Sequence, residues 1–271
     1  METARPLPTG EGYAHRSMHT LTTHIASTRD GNILHITLAR PEKKNALTSA
    51  MYEALIVLLH SADADENIRA ITIEGSGGNF SAGNDIGDFL SGARDMLNAP
   101  AFRFIKAIAS CGTPLVAAVE GVAVGVGTTL LLHCDLAYAA PDAKFRMPFV
   151  DLGLVPEAAA SLLVPQLAGM KKAVEWLMLG DSFDAVDAAR HGVINAVIDA
   201  DTLRTHARAQ ARRLAAKPPA ALAATRRLMR GDRSGMLARI DAEGEAFGKA
   251  LASPEARAAF MAFMEKGKAK G

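Results

Sequence analysis

Hydrophobic and polar positions follow two different periods along this chain, and each change of period marks an element. Residues 22–28 and 33–38 are strand-like runs on either side of Arg29-Asp30-Gly31-Asn32, whose Asp-Gly pair predicts a hairpin. Residues 47–60 place apolar side chains at helical spacing, with Thr48 or Ser49 positioned as the cap. Residues 70–73 predict a strand ending in Glu74-Gly75, followed by a helix that stops near Ser110 and a buried strand over 115–119. Residues 128–134 read as helix, and short strands are expected at 136–139 and 144–147. After Pro156 the pattern is helical over 157–167, 171–179, 183–191, 202–216, 219–229 and onward, with 193–197 as the one strand. The strand–strand–helix rhythm predicts an α/β fold with helices layered on short sheets over residues 18–200. A helical C-terminal region over 201–271 completes the chain. Its alanine-rich faces suit either a neighbouring subunit or a solvated bundle.

Two glycine-rich stretches stand where strands give way to helices: Gly77-Gly-Asn-Phe-Ser-Ala-Gly-Asn-Asp-Ile86 and Gly121-Val-Ala-Val-Gly-Val-Gly-Thr-Thr129. Each can present free backbone N–H groups at a helix start. Two such loops converging on one oxygen would stabilise an enolate or a tetrahedral oxyanion.

Composition narrows the partners. The 271 residues carry a net charge of +1 with no basic stripe interleaved with aromatics, so no nucleic-acid partner is expected. Glu120 and several glycines interrupt the most apolar stretch, residues 115–132, which therefore reads as a buried strand–loop–helix rather than a membrane span. The two cysteines, Cys111 and Cys134, lie in apolar surroundings without metal-ligand or disulfide spacing; a cytoplasmic protein without a bound metal is expected. Residues 1–17 lack periodicity and an apolar signal core, and read as a disordered leader with Met18 as a candidate start. Gly75–Gly78 lacks the lysine and hydroxyl of a phosphate-binding loop. His133 reads as a satisfied core histidine, and His191 as a helix C-terminal residue.

The junction residues, taken in order, resemble the crotonase, or enoyl-CoA hydratase/isomerase, superfamily. The matching pieces are Arg40-Pro41 with Asn45-Ala46-Leu47, Phe80 to Asp85, Gly121 to Gly127, Cys134-Asp135, Leu152-Gly-Leu-Val-Pro156, and residues 185–195. The resemblance implies a crotonase-like spiral of β-β-α units, trimers or dimers of trimers built through the C-terminal helices, and acyl-CoA thioester substrates. It implies no cofactor, because coenzyme A is part of the substrate. It places the oxyanion donors on the N–H groups of Ala82 and Val126. Lys43, Lys44 and Ala46 match the segment that lines coenzyme A. Ser81, Gly83, Asn84, Asp85, Ile86 and Phe149 fall on the walls of the substrate site. Phe263 and Lys266 resemble positions that reach the adenine end.

The glutamates with which the family's hydratases activate water correspond here to Thr129 and Phe149, and neither side chain exchanges protons near neutrality. Glu157 stands instead at a position resembling the one where the family's Δ3,Δ2-enoyl-CoA isomerases carry their catalytic glutamate. Local sequence alone gives Glu157 a plainer role, a first-turn acid after Pro156 favoured by the helix dipole. The resemblance implies conversion of 3-enoyl-CoA to 2-enoyl-CoA through a thioester enolate, with Glu157 as proton shuttle. Hydration of 2-enoyl-CoA, or silent acyl-CoA binding, are the alternatives. Pocket walls are expected from loops within residues 89–104.

Overall fold

The computed structural model describes residues 18–22, 24–91 and 96–268, without the side chains of 18–22, 89–91, 263, 264 and 266–268. The expected leader, residues 1–17, lies outside the described residues. The chain runs β1 (Met18–Thr22), β2 (Ile25–Asp30), β3 (Ile33–Leu38), α1 (Ser49–Ala64), β4 (Ala70–Gly75), α2 (Ile86–Ser91), α3 (Pro100–Ser110), β5 (Leu115–Val119), β6 (Val122–Val124) and α4 (Val126–Thr129). It continues through β7 (Leu136–Ala139), β8 (Lys144–Arg146), α5 (Ala160–Ala168), α6 (Met170–Ala173), β9 (Phe183–Asp184), α7 (Ala185–Arg190) and β10 (Ala196–Val197). Four helices close it: α8 (Ala200–Ala215), α9 (Pro219–Arg230), α10 (Ser234–Leu251) and α11 (Pro254–Lys268).

One sheet has the order β1-β2-β3-β4-β5-β7-β10 and a smaller one the order β6-β8-β9. The β2–β3 hairpin pairs Asp30 with Ile33, and Gly31 takes the left-handed conformation (φ 60°) that this tight turn requires. From β3 onward the large sheet is parallel. Its central strand β4 is buried throughout, as expected of a strand covered on both faces. The smaller sheet turns β6 and β8 out of the first layer and carries the second glycine stretch with it. This is the layered α/β fold that the strand–strand–helix rhythm predicts, in the spiral arrangement that the family resemblance implies.

The expected division at residue 200 is corrected. Helix α8 packs Leu203, Ala207, Ala211 and Ala215 on Ile33, Ala70, Val116 and Tyr138 of the large sheet, so it belongs to the core. The small side chains of that stripe let helix and sheet approach closely, and Arg204 and Arg208 pair with Glu120 and the buried Glu74 at its edge. Helix α9 is tied inward as well. Arg226 donates from Nε to Asp135 at 2.7 Å and from a terminal nitrogen to the Cys111 carbonyl at 2.7 Å. Asp135 also accepts from the Leu115 N–H at 2.8 Å and from Arg230 at 2.8 Å, which gives it a structural role.

Candidate active site

The two glycine stretches are stitched together. The Phe80 N–H donates to the Glu120 carbonyl at 2.7 Å and the Ser81 N–H to the Val122 carbonyl at 2.9 Å. The Val124 N–H donates back to the Ser81 carbonyl at 2.9 Å. Glycine makes the closest approaches possible. A Cβ on Gly83 would lie 2.7 Å from the Val124 carbonyl oxygen, and one on Gly127 would lie 2.7 Å from the Ser81 carbonyl oxygen.

The opposite edge of the first stretch is held by the segment before α1. The Ala82 N–H donates to the Lys44 carbonyl at 2.8 Å, the Leu47 N–H to the Gly83 carbonyl at 2.7 Å, and the Asp85 N–H to the Leu47 carbonyl at 2.9 Å. The Leu47 bridge thus uses the two neighbours of Asn84, and the Asn84 N–H faces the other edge without an acceptor among the described residues. Val126 opens α4, where the first N–H groups have no intrahelical acceptor. The Gly125 N–H donates to the Arg146 carbonyl at 2.9 Å, and Thr128 and Thr129 both donate to the Gly125 carbonyl at 2.9 Å, so the Val126 N–H is left free among the described residues. The expected donor pair is therefore corrected. Lys44 already occupies the Ala82 amide, and the available donors belong to Asn84 and Val126.

Gly83, Asn84 and Gly125 line a pocket of about 100 Å³ whose remaining wall is apolar: Ile86, Phe149, Leu152, Leu154, Phe247 and Phe260. Among the described residues, these walls come from α2, the turn after β8 and the last two helices; of the expected loops within 89–104, residues 92–95 and the side chains of 89–91 lie outside the described residues. Gly83, Asn84, Ile86 and Phe149, expected at the substrate site, line this pocket together with Ala82.

Other expected binding residues lie elsewhere. The Ser81 hydroxyl is buried, donating to the Asn45 carbonyl at 2.9 Å and accepting from the Gly83 N–H at 3.1 Å, which makes it a brace for the loop. Asp85 accepts from Arg40 at 2.7 Å. Burial works against its charge, but the Arg40 bond and the Asp88 N–H outweigh it and hold its carboxyl below the usual range. Lys43 and Lys44 are exposed on the turn before α1, with Ala46 half-buried beside them. Phe263 and Lys266 lie on α11, and their side chains fall outside the described residues.

Glu157 is fully buried, and neither of its carboxylate oxygens has a hydrogen-bond partner among the described residues. It does not sit in a first helical turn. Ala158 (φ 60°) and Ala159 (φ 56°) are both left-handed, and α5 begins only at Ala160. Burial, reinforced by the charge of Glu243, pushes the Glu157 carboxyl up to about 8. The Thr129 hydroxyl is close enough to oppose that shift slightly, yet it too completes no hydrogen bond of normal geometry. Tyr52 of α1 connects this carboxyl to the pocket wall: its hydroxyl donates to Asn84 Oδ1, and burial together with the charges of Glu157 and Asp88 raises its pKa. A buried carboxyl whose proton affinity is raised this far, coupled through Tyr52 to the Asn84 side of the pocket, has the chemistry to take and return a proton.

Sequence reasoning missed the Asn84 amide, Tyr52 and Glu243. The first was two residues from the expected donor, and the bond from Ala82 to Lys44 is a long-range contact that no local motif encodes. Tyr52 and Glu243 are single residues of ordinary helices, and only tertiary packing brings them to Glu157. His133 is the satisfied core histidine expected, its Nε2 lying 2.9 Å from the Ala158 carbonyl. Burial pushes the Cys111 thiol up to about 12 and raises that of Cys134 as well, so both are poor nucleophiles. Among the described residues, no group of His, Cys, Asp and Glu is arranged to hold a metal ion, and no helix is long and apolar enough to cross a membrane.

Comparison with known proteins points the same way as this geometry. Residues 28–270 match the model of the enoyl-CoA hydratase/isomerase family. A probable enoyl-CoA hydratase of Rhodobacter capsulatus is 36% identical, over 92% of this chain and 96% of its own length. Enoyl-CoA delta isomerase 2 of Rattus norvegicus is 34% identical over 81% of this chain, which spans 57% of that longer protein. The solved structure of Pseudomonas aeruginosa OdaA superposes with a TM-score of 0.87 at 42% identity, covering 90% of this chain and 99% of its own. With its stitched glycine loops, its spiral of sheets and a match over nearly its whole length, the chain belongs to the enoyl-CoA hydratase/isomerase family.

Proposed function

We propose that the chain is an acyl-CoA isomerase that moves the double bond of 3-enoyl-CoA to the 2-position. The observation that carries this reading is Glu157: a buried carboxyl without a hydrogen-bond partner among the described residues, coupled by charge to the Tyr52 that bonds Asn84 at the pocket, while Thr129 and Phe149 offer no carboxyl. The thioester carbonyl accepts from the Asn84 and Val126 amides, which stabilise the negative charge as a C2 proton leaves. Glu157 takes that proton as a carboxylate and returns it at C4, so one base serves both halves of the 1,3-shift. The apolar wall of Phe149, Leu152, Phe247 and Phe260 receives the acyl chain, and Lys43 and Lys44 lie at the surface where the coenzyme A phosphates would leave the site. No cofactor is required beyond the coenzyme A carried by the substrate. The protein acts as a homotrimer or a dimer of trimers.

Hydration of 2-enoyl-CoA is the second reading, favoured by the hydratase names among the relatives. Parallel assays of 3-enoyl-CoA isomerisation and 2-enoyl-CoA hydration on wild type and Glu157→Gln decide between them. Isomerisation should dominate in wild type and fall roughly 10²–10⁴-fold in the variant, with acyl-CoA binding retained. Efficient hydration without isomerisation overturns the proposal in favour of the hydratase. Binding without either reaction identifies a silent acyl-CoA-binding protein.

A further inference from the structure

The two residues after Glu157 hold a conformation that alanine rarely adopts, with φ of 60° at Ala158 and 56° at Ala159. Consecutive left-handed residues bearing a Cβ persist only where the surroundings over-determine them. Here two side chains from distant elements do so. His133, on the turn after α4, places Nε2 2.9 Å from the Ala158 carbonyl; burial pushes its pKa down to about 4, so the neutral ring donates that bond. Glu243 of α10 reaches in from the C-terminal region. One of its oxygens accepts from the Ala159 N–H at 2.6 Å and the other from the Ser161 N–H at 2.9 Å. It makes these bonds while itself buried.

We propose that Glu243 is a positioning residue for the reaction: its carboxylate locks the Ala158–Ala159 turn and thereby fixes where the Glu157 carboxyl stands. This rests on Glu157 being the proton-transfer group proposed above. Glu243 accepts from both amides, one on each oxygen, an arrangement that favours its ionised form. The neighbours make the division of charge between the two buried carboxyls unequal. Glu243 has two N–H donors and Arg239 nearby, whereas Glu157 has Thr129 on α4, Tyr52 on α1 and no completed hydrogen bond. Burial raises both, but the two N–H donors and Arg239 favour the negative charge on Glu243, and a charge there favours the protonated form of Glu157. Asp88 on α2 faces Tyr52, and His133 faces the turn in its neutral form. Glu243 therefore has two effects on Glu157: it holds the loop in place and raises the affinity for the transferred proton.

The test uses the full chain with Glu243→Gln and Glu243→Asp. The infrared band of a protonated carboxylic acid that disappears in Glu157→Gln reports the titration of Glu157 directly, and amide hydrogen exchange at Ala159 and Ser161 reports the turn. Glu243→Gln removes the charge and one acceptor. The Glu157 band should titrate at lower pH, exchange at Ala159 and Ser161 should quicken roughly tenfold or more, and isomerase kcat should fall roughly 10–10²-fold with KM little changed. Glu243→Asp keeps the charge on a shorter stem. Its Glu157 titration should stay near that of wild type while exchange still quickens, and this variant carries the test if Glu243→Gln does not fold. A folded Glu243→Gln, or failing that Glu243→Asp, with unchanged exchange at both amides overturns the proposal. An unchanged Glu157 titration in folded Glu243→Gln overturns it equally. The infrared and exchange readouts need no turnover, so they support or refute the positioning role even if wild type proves not to isomerise 3-enoyl-CoA.

Discussion

Gly83 and Val124 meet backbone to backbone: Gly83 has a φ of 91°, and a Cβ there would stand 2.7 Å from the Val124 carbonyl oxygen. That contact sets the Asn84 amide beside the start of α4, so the distance between the two free donors depends on a missing side chain. Gly83→Ala should cost about 1–3 kcal/mol from the left-handed backbone alone, with the clash in addition. It should also lower turnover by roughly 10²-fold through misplacement of the Asn84 amide. Gly78→Ala is the control, since Gly78 is left-handed too (φ 70°) but has open space around its Cβ. It should lose stability with little loss of turnover. Melting temperature and kcat measured on both variants check the pair; equal losses of turnover would refute the positional argument.

The Val126 donor can be removed with little change of shape. Val126 is the first residue of α4, where proline is tolerated because that N–H has no intrahelical partner. The preceding residue is a glycine at φ 55° and ψ −121°, away from the right-handed helical region that proline disfavours in its neighbour. Val126→Pro should therefore fold, bind acyl-CoA, and lose roughly 10²–10³-fold in kcat, the usual worth of one oxyanion donor. Turnover within a factor of a few of wild type would mean that the oxyanion is held elsewhere.

The fold was largely legible because its signals are local. The Asp-Gly turn, the capped helix at Thr48 and the buried runs of β4 and β5 each fall where spacing predicts them. The site was legible only in part. Glycines advertise that two loops approach closely, but which amide stays free is decided by Lys44 and Leu47 across a non-local bridge. Pro156 followed by an acid reads as a helix start. The helix begins later because His133 and Glu243 stabilise two left-handed alanines, an energy that no propensity scale contains. The Ala-rich stripe of α8 was legible as a packing face, but its partner, the chain's own sheet, was not.

Assembly is tested by the apolar side chains left on the surface. Leu228 and Met229, adjacent on α9, are each 82% exposed, and Met170, Met178 and Leu179 are also exposed. Scattered single residues of this kind are ordinary, but clusters of long apolar side chains favour burial against another copy. Light scattering at micromolar concentration should give a trimer or hexamer mass. A double substitution, Leu228→Lys with Met229→Lys, should shift that mass toward monomer if α9 lies in the interface. A monomeric wild type would refute the assembly.

The buried carboxyl of Glu157 predicts opposite pH trends for activity and stability. Its pKa is about 8 in the folded protein against an ordinary value of 4.5. Below 4.5 both folded and unfolded chains keep the proton, and the group contributes no pH dependence. As pH rises from 4.5 to 8 the unfolded chain releases it first, which favours unfolding. Stability from this group therefore falls across that window and levels off above it. The loss is at most about 1.4 kcal/mol for every tenfold difference in proton affinity between the folded and unfolded chains. Glu157→Gln cannot ionise, so the melting temperature of the variant minus that of wild type should grow steadily from pH 4.5 to pH 8. Activity runs the other way, because the base must be ionised to take the C2 proton. Wild-type kcat/KM for 3-enoyl-CoA should rise with pH along a limb whose apparent pKa is about 8. The enzyme would thus gain its reactive form over the same pH range in which Glu157 makes the fold weaker. A melting-temperature difference that stays flat with pH, together with a rate that has already levelled off at about pH 6, would show that Glu157 titrates as an ordinary carboxylate. That pair of results would remove the base from the proposed mechanism.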